Sequence, residues 1–215
     1  MSRTTKVHLL RHGEVHNPAG VLYGRLPEYH LSERGHAMAA RVAEVVADRD
    51  ITTLVTSPLE RARETMAPVS AALGLEPSTD ERLIEAANVF EGLTFGVGDG
   101  SLRRPAHWKH LRNPFRPSWG EPYTEVVARM RAALDDAARA AAGHEALMVS
   151  HQLPIWIVRS AVEGRRLWHD PRKRECALAS LTTFTYENGA IVTVAYSEPA
   201  ADLLPVSGKP FAAGA

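Results

Sequence analysis

Three short apolar runs, each ending abruptly in polar residues, constrain the fold of this chain more than any other feature of its sequence. The runs and the residues that end them are Val7–Leu10 with Arg11 and His12, Leu54–Thr56 with Ser57, and Ala146–Ser150 with His151. A short apolar run of this kind is typical of a buried strand that ends in a loop. The sequence therefore predicts three strands that each carry a polar group at the carboxyl end.

Helical segments are predicted between and after these strands. Ser32 is a favoured N-cap, Pro58 is tolerated at a first helical position, and Gly74 is typical of a helix end. The four helices run from Ser32 to about Arg49, from Ser57 to Gly74, over Glu125–Ala142 and over Pro154–Val162. Alternating strands and helices predict an α/β fold, a three-layer α/β/α sandwich with a mostly parallel central sheet. Sites in such sheets form beyond the carboxyl ends of the strands.

The remaining segments complete a single predicted domain over residues 1–198. Asn188-Gly189 between two apolar runs is a hairpin signal. Residues 86–120, here called the cap, hold five glycines and three prolines and show little periodicity, which favours a functional lid or binding loop. The tail 199–215 is rich in Ala, Pro and Gly, and we expect it to be loosely ordered.

Composition excludes several classes of function. The chain has 25 basic and 25 acidic residues, so no global field favours nucleic acid or an anionic membrane. Cys176 is the only cysteine, which rules out an intrachain disulfide and suits a small core residue. Without a signal-like segment or a long apolar run, we expect a cytoplasmic protein of undetermined oligomeric state.

Arg11-His12-Gly13 is the first candidate for chemistry. An imidazole that accepts a phosphoryl group needs one free nitrogen and one that is fixed by a hydrogen bond. It also needs cations nearby, because the transferring group spreads negative charge. Arg11 supplies such a cation, and Gly13 lets the backbone approach a phosphate. A surface Arg and His in an ordinary turn explain the tripeptide equally well.

Arg61 and His151 supply two further candidates. Arg61 falls one turn into the second helix, whose N-terminus points at the predicted crevice and attracts anions. Arg63 is the alternative, and either arginine also fits a solvated helix face. His151 ends the third strand, where it fits a satisfied core histidine or a second imidazole beside a phosphate.

Taken together, these segments resemble the histidine phosphatase superfamily, which includes cofactor-dependent phosphoglycerate mutase. The resemblance extends over about residues 6–160 with the motifs in the family's order. The matching motifs are LLRHGE at 9–14, LSERG at 31–35, SPLERARET at 57–65, LIE at 83–85, EGLT at 91–94 and VSH at 149–151.

The resemblance implies a role for each matching residue. His12 corresponds to the nucleophile, and Arg11, Arg61 and His151 to the groups that clamp the phosphoryl group. Glu85 corresponds to the acid that protonates the leaving oxygen and then activates water. No metal or other cofactor is implied, because the arginines and the second imidazole provide the positive charge.

The sequence departs from the family pattern around the substrate. The family usually has Asn six residues after the nucleophile, where this chain has Pro18, and Asn17 comes one residue early. The segment between Glu85 and Glu91 is one residue short, so that Glu91 is the alternative acid. Gln152 replaces the usual Gly. We expect Asn17, Gly24 and Gln152 to contact substrate together with the phosphate clamp.

Zinc hydrolysis is the rival chemistry. His12 and His16 are four residues apart with Glu14 between them, but a zinc helix requires the Glu directly after the first His. His107 and His110 can share a helix face, yet they lack a nearby carboxylate and are better read as solvent-facing.

The cap is basic. Its positive residues are Arg103, Arg104, Lys109, Arg112 and Arg116. They fit a solvated face or recognition of extra negative charge on the substrate, and nucleic-acid binding is less consistent with the sequence. The expected function is metal-independent hydrolysis of a small phosphorylated metabolite. Phosphoglycerate-mutase-type transfer and a catalytically silent phospholigand-binding module are the alternatives. The chain is shorter than expected for the mutases, which favours the phosphatase.

Overall fold

A single six-stranded sheet organises the part of the chain that the computed structural model describes, residues 4–94 and 120–204. The strands are β1 (Thr5–Arg11), β2 (Ile51–Thr56), β3 (Ser78–Thr79), β4 (Glu145–Ser150), β5 (Leu181–Glu187) and β6 (Ala190–Ser197). Their order across the sheet is β3-β2-β4-β1-β5-β6. The β3-β2, β2-β4 and β4-β1 pairs are parallel, and β5 and β6 add antiparallel. The prediction of a mostly parallel sheet is confirmed.

Helices cover both faces of this sheet. In the described ranges they are α1 (Glu33–Val46), α2 (Glu60–Leu73), α3 (Tyr123–Ala140) and α4 (Gln152–Val162). Short 3-10 turns occur at Glu81–Leu83, Pro171–Lys173 and Ala201–Leu203. None of the described helices combines the length and the apolar character that a membrane crossing requires.

The central strands are buried on both sides, which explains their nearly continuous apolar sequence. Leu9 and Met148 face the layer of α3 and α4, whereas Leu10, Leu147 and Val149 face the layer of α1 and α2. All five side chains are at most 1% exposed. Alternate residues of each strand therefore fill the two cores of the predicted three-layer sandwich.

Helix α2 begins later than predicted. The sequence suggests a start at Ser57-Pro58, but the helix starts at Glu60 after an extended Leu59. The backbone N–H of Ser57 still donates to the Val149 carbonyl at 3.0 Å. This bond prolongs the pairing of β2 with β4 and keeps the chain extended past the strand, so the first helical turn is delayed.

Two other predictions can be compared with the structure. Asn188 and Gly189 form the two-residue turn between β5 and β6, and both have positive φ, 51° and 79°, as a type I′ hairpin requires. The tail begins in an ordered way, since Ala200 is buried and Asp202 pairs with Arg41 at 3.1 Å. Residues 205–215 and most of the cap, 95–119, lie outside the described residues.

The start of α1 fixes the loop that follows β1. Ser32 caps the helix by accepting from the Gly35 N–H at 3.0 Å, and its hydroxyl donates to the Glu14 carboxylate at 2.6 Å. A Cβ on Gly35 would lie 2.0 Å from the Glu14 carbonyl oxygen. Glycine is therefore needed at position 35 for the helix to approach the loop this closely.

We predict that Gly35→Ala destabilises the protein, although alanine is the better helix former. The helix preference favours alanine by about 0.5–1 kcal/mol, whereas overpacking against a backbone oxygen costs about 1–3 kcal/mol. Urea unfolding should show a lower midpoint with an unchanged slope. His36→Ala, at the exposed neighbouring position, is the matched control. A Gly35→Ala protein as stable as this control would contradict the packing account.

Candidate active site

The ends of β1, β2 and β4 bring the predicted polar groups to one edge of the sheet. Arg11 is paired in register with Ser150 of β4, and the His12 N–H donates to the Ser150 carbonyl at 3.2 Å. The ring centroids of His12 and His151 are 5.2 Å apart. The parallel pairing of neighbouring strands thus places both imidazoles in one pocket.

His12 is fully buried and has one nitrogen fixed and one nitrogen free. Its Nδ1 lies 2.8 Å from the Gly13 carbonyl oxygen, and because a carbonyl only accepts, Nδ1 carries the proton. The Nε2 atom has no hydrogen-bond partner among the described residues. Burial lowers the pKa of His12 well below its usual range, and the charges of Arg61 and Arg11 lower it further. The ring is therefore neutral, with a lone pair on Nε2.

His151 also has one ring nitrogen held by a hydrogen bond and one without a partner, but the two nitrogens are exchanged. Its Nε2 lies 2.7 Å from the Ser57 hydroxyl oxygen, and its Nδ1 is buried without a partner in the described part of the chain. Burial lowers the pKa of His151 well below its usual range, with smaller contributions from the positive charges nearby. When Ser57 donates to Nε2, the neutral ring carries its proton on Nδ1, where it is available to an anion.

Arg61 and Arg11 are held by neutral carbonyls. Arg61 donates from Nη2 to the Gly24 carbonyl at 2.6 Å, and its guanidinium lies 4.7 Å from the Tyr23 ring centroid. Arg11 donates from Nη1 to the Cys176 carbonyl at 2.7 Å. Arg61 Nε and Nη1 and Arg11 Nε are buried and have no partners within the described ranges. The alternative Arg63 is exposed, so the structure favours Arg61 as the pocket arginine.

Glu85 rather than Glu91 lies inside the pocket. Glu85 is 3% exposed, accepts from the Ala86 N–H through Oε1 at 2.8 Å, and has an unpartnered Oε2 as far as the structure is described. Burial raises the pKa of Glu85 above its usual range. Glu91 instead accepts from the Asn88 N–H at 3.1 Å and packs against Gly24. The environment of Glu85 favours a protonated carboxyl group.

These side chains together present the donors that an anion requires. A buried donor without a partner is costly, and here Arg61 presents two such nitrogens while Arg11 and His151 present one each. Two guanidiniums provide the planar, charged donors that suit phosphate oxygens. A phosphoryl group placed among them would satisfy these donors, with His12 Nε2 and Glu85 beside it.

The zinc alternative finds no support in the described residues. Within 4–94 and 120–204, no group of three or more His, Cys, Asp or Glu side chains is arranged so that it could hold a metal ion. His12 is buried and His16 is exposed, and the Glu14 carboxylate is engaged by Ser32 and Arg34. His107, His110 and the basic residues of the cap lie outside the described ranges.

Of the three remaining predicted contacts, Gly24 and Gln152 adjoin the clamp residues, and the roles of all three toward substrate stay predictions. Both ends of the Asn17 amide bond the backbone of Val21, which closes a loop. Gly24 has a φ of 43° and presents its carbonyl to Arg61. Gln152 bonds Arg174 at 3.2 Å and the Cys176 carbonyl at 3.4 Å.

Sequence reasoning missed Tyr23 and Arg174 as parts of the site. It placed Ser57 at the end of a predicted strand, beside the two strands that end in histidines, but gave it no role. Tyr23 lies in a loop without periodicity. Arg174 lines a cleft next to Glu85, but it follows several other basic residues, and nothing in the local pattern distinguishes it from a solvated charge.

We predict that Arg61→Lys weakens the binding of inorganic phosphate by tenfold or more. Lysine carries its three N–H groups on one nitrogen, so it cannot reproduce the planar guanidinium that bonds the Gly24 carbonyl through Nη2 and presents two other nitrogens to the pocket. Each hydrogen bond to a charged group contributes about 1.5–3 kcal/mol. Isothermal titration calorimetry at constant ionic strength measures the effect. Arg63→Lys, on the same helix but exposed, is the control and should bind phosphate like the native protein. Equal losses in both variants would show that Arg61 acts only through the general field.

Known proteins are similar to this chain in sequence and in the arrangement of helices and strands. The family model of the histidine phosphatase superfamily, branch 1, matches residues 7–199. The uncharacterized protein Rv0525 of Mycobacterium tuberculosis is 57% identical over 201 residues, 94% of this chain and 100% of that protein. The probable phosphoglycerate mutase GpmB of Yersinia pestis is 33% identical over 186 residues, 81% of this chain and 83% of its own length.

Solved structures agree with these relatives. The native structure of the mycobacterial glucosyl-3-phosphoglycerate phosphatase Rv2419c has a TM-score of 0.70 and 25% identity, and it covers 85% of this chain and 91% of its own. A phosphoserine phosphatase of Entamoeba histolytica shares the fold, with a TM-score of 0.74 at 22% identity over 93% of this chain and 100% of that one. With the family model matched over nearly the whole chain, this protein belongs to the histidine phosphatase superfamily.

Proposed function

We propose that this protein is a metal-independent phosphatase that hydrolyses a small phosphorylated metabolite through a phosphohistidine at His12. One observation carries the proposal. A neutral, buried imidazole with a free Nε2 lies among two buried arginines that have no carboxylate partner in the described part of the chain. This combination supplies a nucleophile and the charge that a transferring phosphoryl group requires.

The first step transfers the phosphoryl group to the enzyme. The lone pair of His12 Nε2 attacks phosphorus, and the bond from phosphorus to the leaving oxygen breaks. Arg11, Arg61 and the Nδ1–H of His151 stabilise the phosphoryl oxygens. Glu85 gives its proton to the leaving oxygen, a role that suits a carboxyl group whose pKa is raised by burial. The product alcohol then leaves.

The second step returns the enzyme to its starting state. Water attacks phosphorus, and the Glu85 carboxylate takes a proton from that water. The bond between phosphorus and Nε2 breaks, and its electron pair returns to His12. The backbone carbonyl of Gly13 holds Nδ1–H throughout, which keeps the reacting nitrogen in the correct tautomer.

Related proteins support phosphoryl transfer and differ in its acceptor. The names of two relatives describe a glucosyl-3-phosphoglycerate phosphatase and a probable phosphoglycerate mutase. Chain length does not separate these activities, because the mutase-like relative is matched over 83% of its length. We favour water as the acceptor. Following phosphate release and isomer formation in the same reaction distinguishes hydrolysis from a mutase, and the absence of both would indicate a binding module.

We predict that His12→Ala lowers phosphatase activity to less than about a thousandth of the native value, as loss of a nucleophile normally does. The native protein, mixed rapidly with substrate and quenched in base, should carry added phosphoryl mass on the peptide with His12. All assays contain EDTA. His16→Ala is the control, because His16 is exposed and four residues away. Phosphate release that persists in His12→Ala, or that stops with EDTA and returns with a metal, would overturn the mechanism.

We predict that Glu85→Gln slows an alkyl phosphate far more than nitrophenyl phosphate. An alkoxide leaving group needs a proton, a contribution of about 10²–10⁴-fold, whereas nitrophenolate leaves without one. Single-turnover measurements isolate this step from the later attack of water. Glu91→Gln is the matched control and should affect both substrates alike.

The pH dependence provides a second measurement on the same variants. Burial raises the pKa of Glu85, so its acid form persists above the usual carboxyl range and is lost as the pH rises through the raised pKa. For the alkyl phosphate, kcat/KM should fall as the pH rises through this pKa, both in the native protein and in Glu91→Gln. Glu85→Gln should not show this fall. If the leaving-group effect appears only in Glu91→Gln, Glu91 rather than Glu85 is the acid.

A further inference from the structure

Three arginines share an unusual environment in this protein. Among the described arginines that are buried or half-buried, Arg11, Arg61 and Arg174 form no ion pair with a carboxylate. Arg159 is buried and Arg129 is half-buried, and each pairs with glutamate at 2.6–2.7 Å. The first two unpaired arginines belong to the phosphate clamp. Arg174 also lacks a carboxylate partner among the described residues, but it is not part of that clamp.

Neutral groups hold the Arg174 side chain in place. Its Nε donates to His169 Nε2 at 2.8 Å, and its Nη1 donates to Gln152 Oε1 at 3.2 Å. His169 Nδ1 lies 2.6 Å from the Leu167 carbonyl, which fixes the tautomer in which Nε2 accepts. No hydrogen bond from Nη2 occurs among the described residues. These hydrogen bonds orient the guanidinium, and neither of them is accepted by a carboxylate.

Arg174 lines the cleft that leads from the reacting groups. The cleft is bounded in its described part by Leu22, Gly24, Glu85, Tyr123 and Leu153 together with Arg174 and the 86–88 and 120–121 segments. The other carboxylate there, Glu121, is engaged by Arg25 at 2.9 Å and by Arg129 at 2.7 Å. Within the described ranges, Arg174 is thus the cation of this cleft that is left for a ligand.

A shared backbone carbonyl connects Arg174 with the clamp. The Cys176 carbonyl accepts from Arg11 Nη1 at 2.7 Å and from Gln152 Nε2 at 3.4 Å, and Gln152 in turn holds Arg174. The positions of the two arginines are therefore set by the same short segment. A ligand that places a phosphoryl group on Arg11 can present a second anionic group toward Arg174.

We propose that Arg174 binds a carboxylate of the substrate, so that the substrate class is phosphomonoesters of hydroxy acids. The proposal deepens the proposed function and rests on it for the turnover of such compounds. A guanidinium presents parallel donors that match a carboxylate. One cation matches one monoanion, whereas the pocket assigns two arginines and an imidazole to the doubly charged phosphoryl group. This difference in charge favours a carboxylate over a second phosphate.

Binding to the His12→Ala protein tests this inference without turnover. The probes are two pairs that differ by the carboxylate, phosphoglycerate with glycerol phosphate and phosphoserine with phosphoethanolamine, plus glycerol bisphosphate for a second phosphate. We expect the acid of at least one pair to bind about tenfold or more tightly than its partner, the effect of one charge-assisted bond. Adding Arg174→Gln should remove that preference, and adding Arg172→Gln should keep it, because Arg172 is exposed and pairs with Asp170.

The outcomes separate the two proposals. A preference for the acids that Arg174→Gln removes supports the inference whether or not the protein turns substrate over. Equal binding within both pairs, a preference that survives Arg174→Gln, or a stronger preference for the bisphosphate overturns it. Failure of the proposed function would give a different result. In that case no probe, including nitrophenyl phosphate, would release phosphate in a reaction that depends on His12. Thermal unfolding of the Arg174→Gln protein checks that its fold is intact.

Discussion

The parallel pairing of β1 with β4 is the interaction on which the site depends. Because Arg11 is in register with Ser150, the residues that follow both strands, His12 and His151, leave the sheet side by side. The His12 N–H prolongs the ladder by one bond to the Ser150 carbonyl. A shift of one residue in this register would turn the apolar side chains of β1 toward the wrong layer, so the core and the site are specified together.

The second constraint is electrostatic. Burying two guanidiniums in one pocket is unfavourable unless they are hydrogen-bonded or meet an anion. The protein meets part of this cost with the carbonyls of Gly24 and Cys176 and with the Tyr23 ring. In the described part of the chain no carboxylate forms an ion pair with either arginine, and burial together with their positive field lowers the pKa of His12. The free imidazole nitrogen and the unpaired guanidinium donors therefore come from one arrangement.

Sequence reasoning was most successful where strand ends determine position. His12, Ser57 and His151 follow short apolar runs, so their convergence follows from parallel pairing alone, and Arg61 follows from the helix after β2. The start of α2 was wrong because the extra bond from Ser57 to Val149 is a tertiary contact that helix preferences do not contain. Strand β3 was missed because its two residues are exposed and show no apolar pattern.

Residues positioned by loops were harder to find from the sequence. Glu85 follows a 3-10 turn. The sequence names it as the acid and leaves Glu91 as the alternative, and only the structure shows that Glu85 is buried while Glu91 bonds Asn88. Arg174 lies in a basic stretch in which Arg172 pairs with Asp170 at the surface. Two arginines separated by one residue thus have different surroundings, and only the packing of the segment against His169 and Gln152 separates them.

Gln152, which stands where the family usually has glycine, connects Arg174 with the backbone carbonyl of Cys176. The usual glycine at this position has no side chain, so it could neither accept from Arg174 Nη1 nor donate to the Cys176 carbonyl. With Gln152 present, the first residue of α4 joins the loop of Arg174 to the carbonyl that also holds Arg11. The substitution beside His151 and the unpaired charge of Arg174 are therefore parts of one arrangement, which leaves the phosphate clamp intact and changes the cleft next to it.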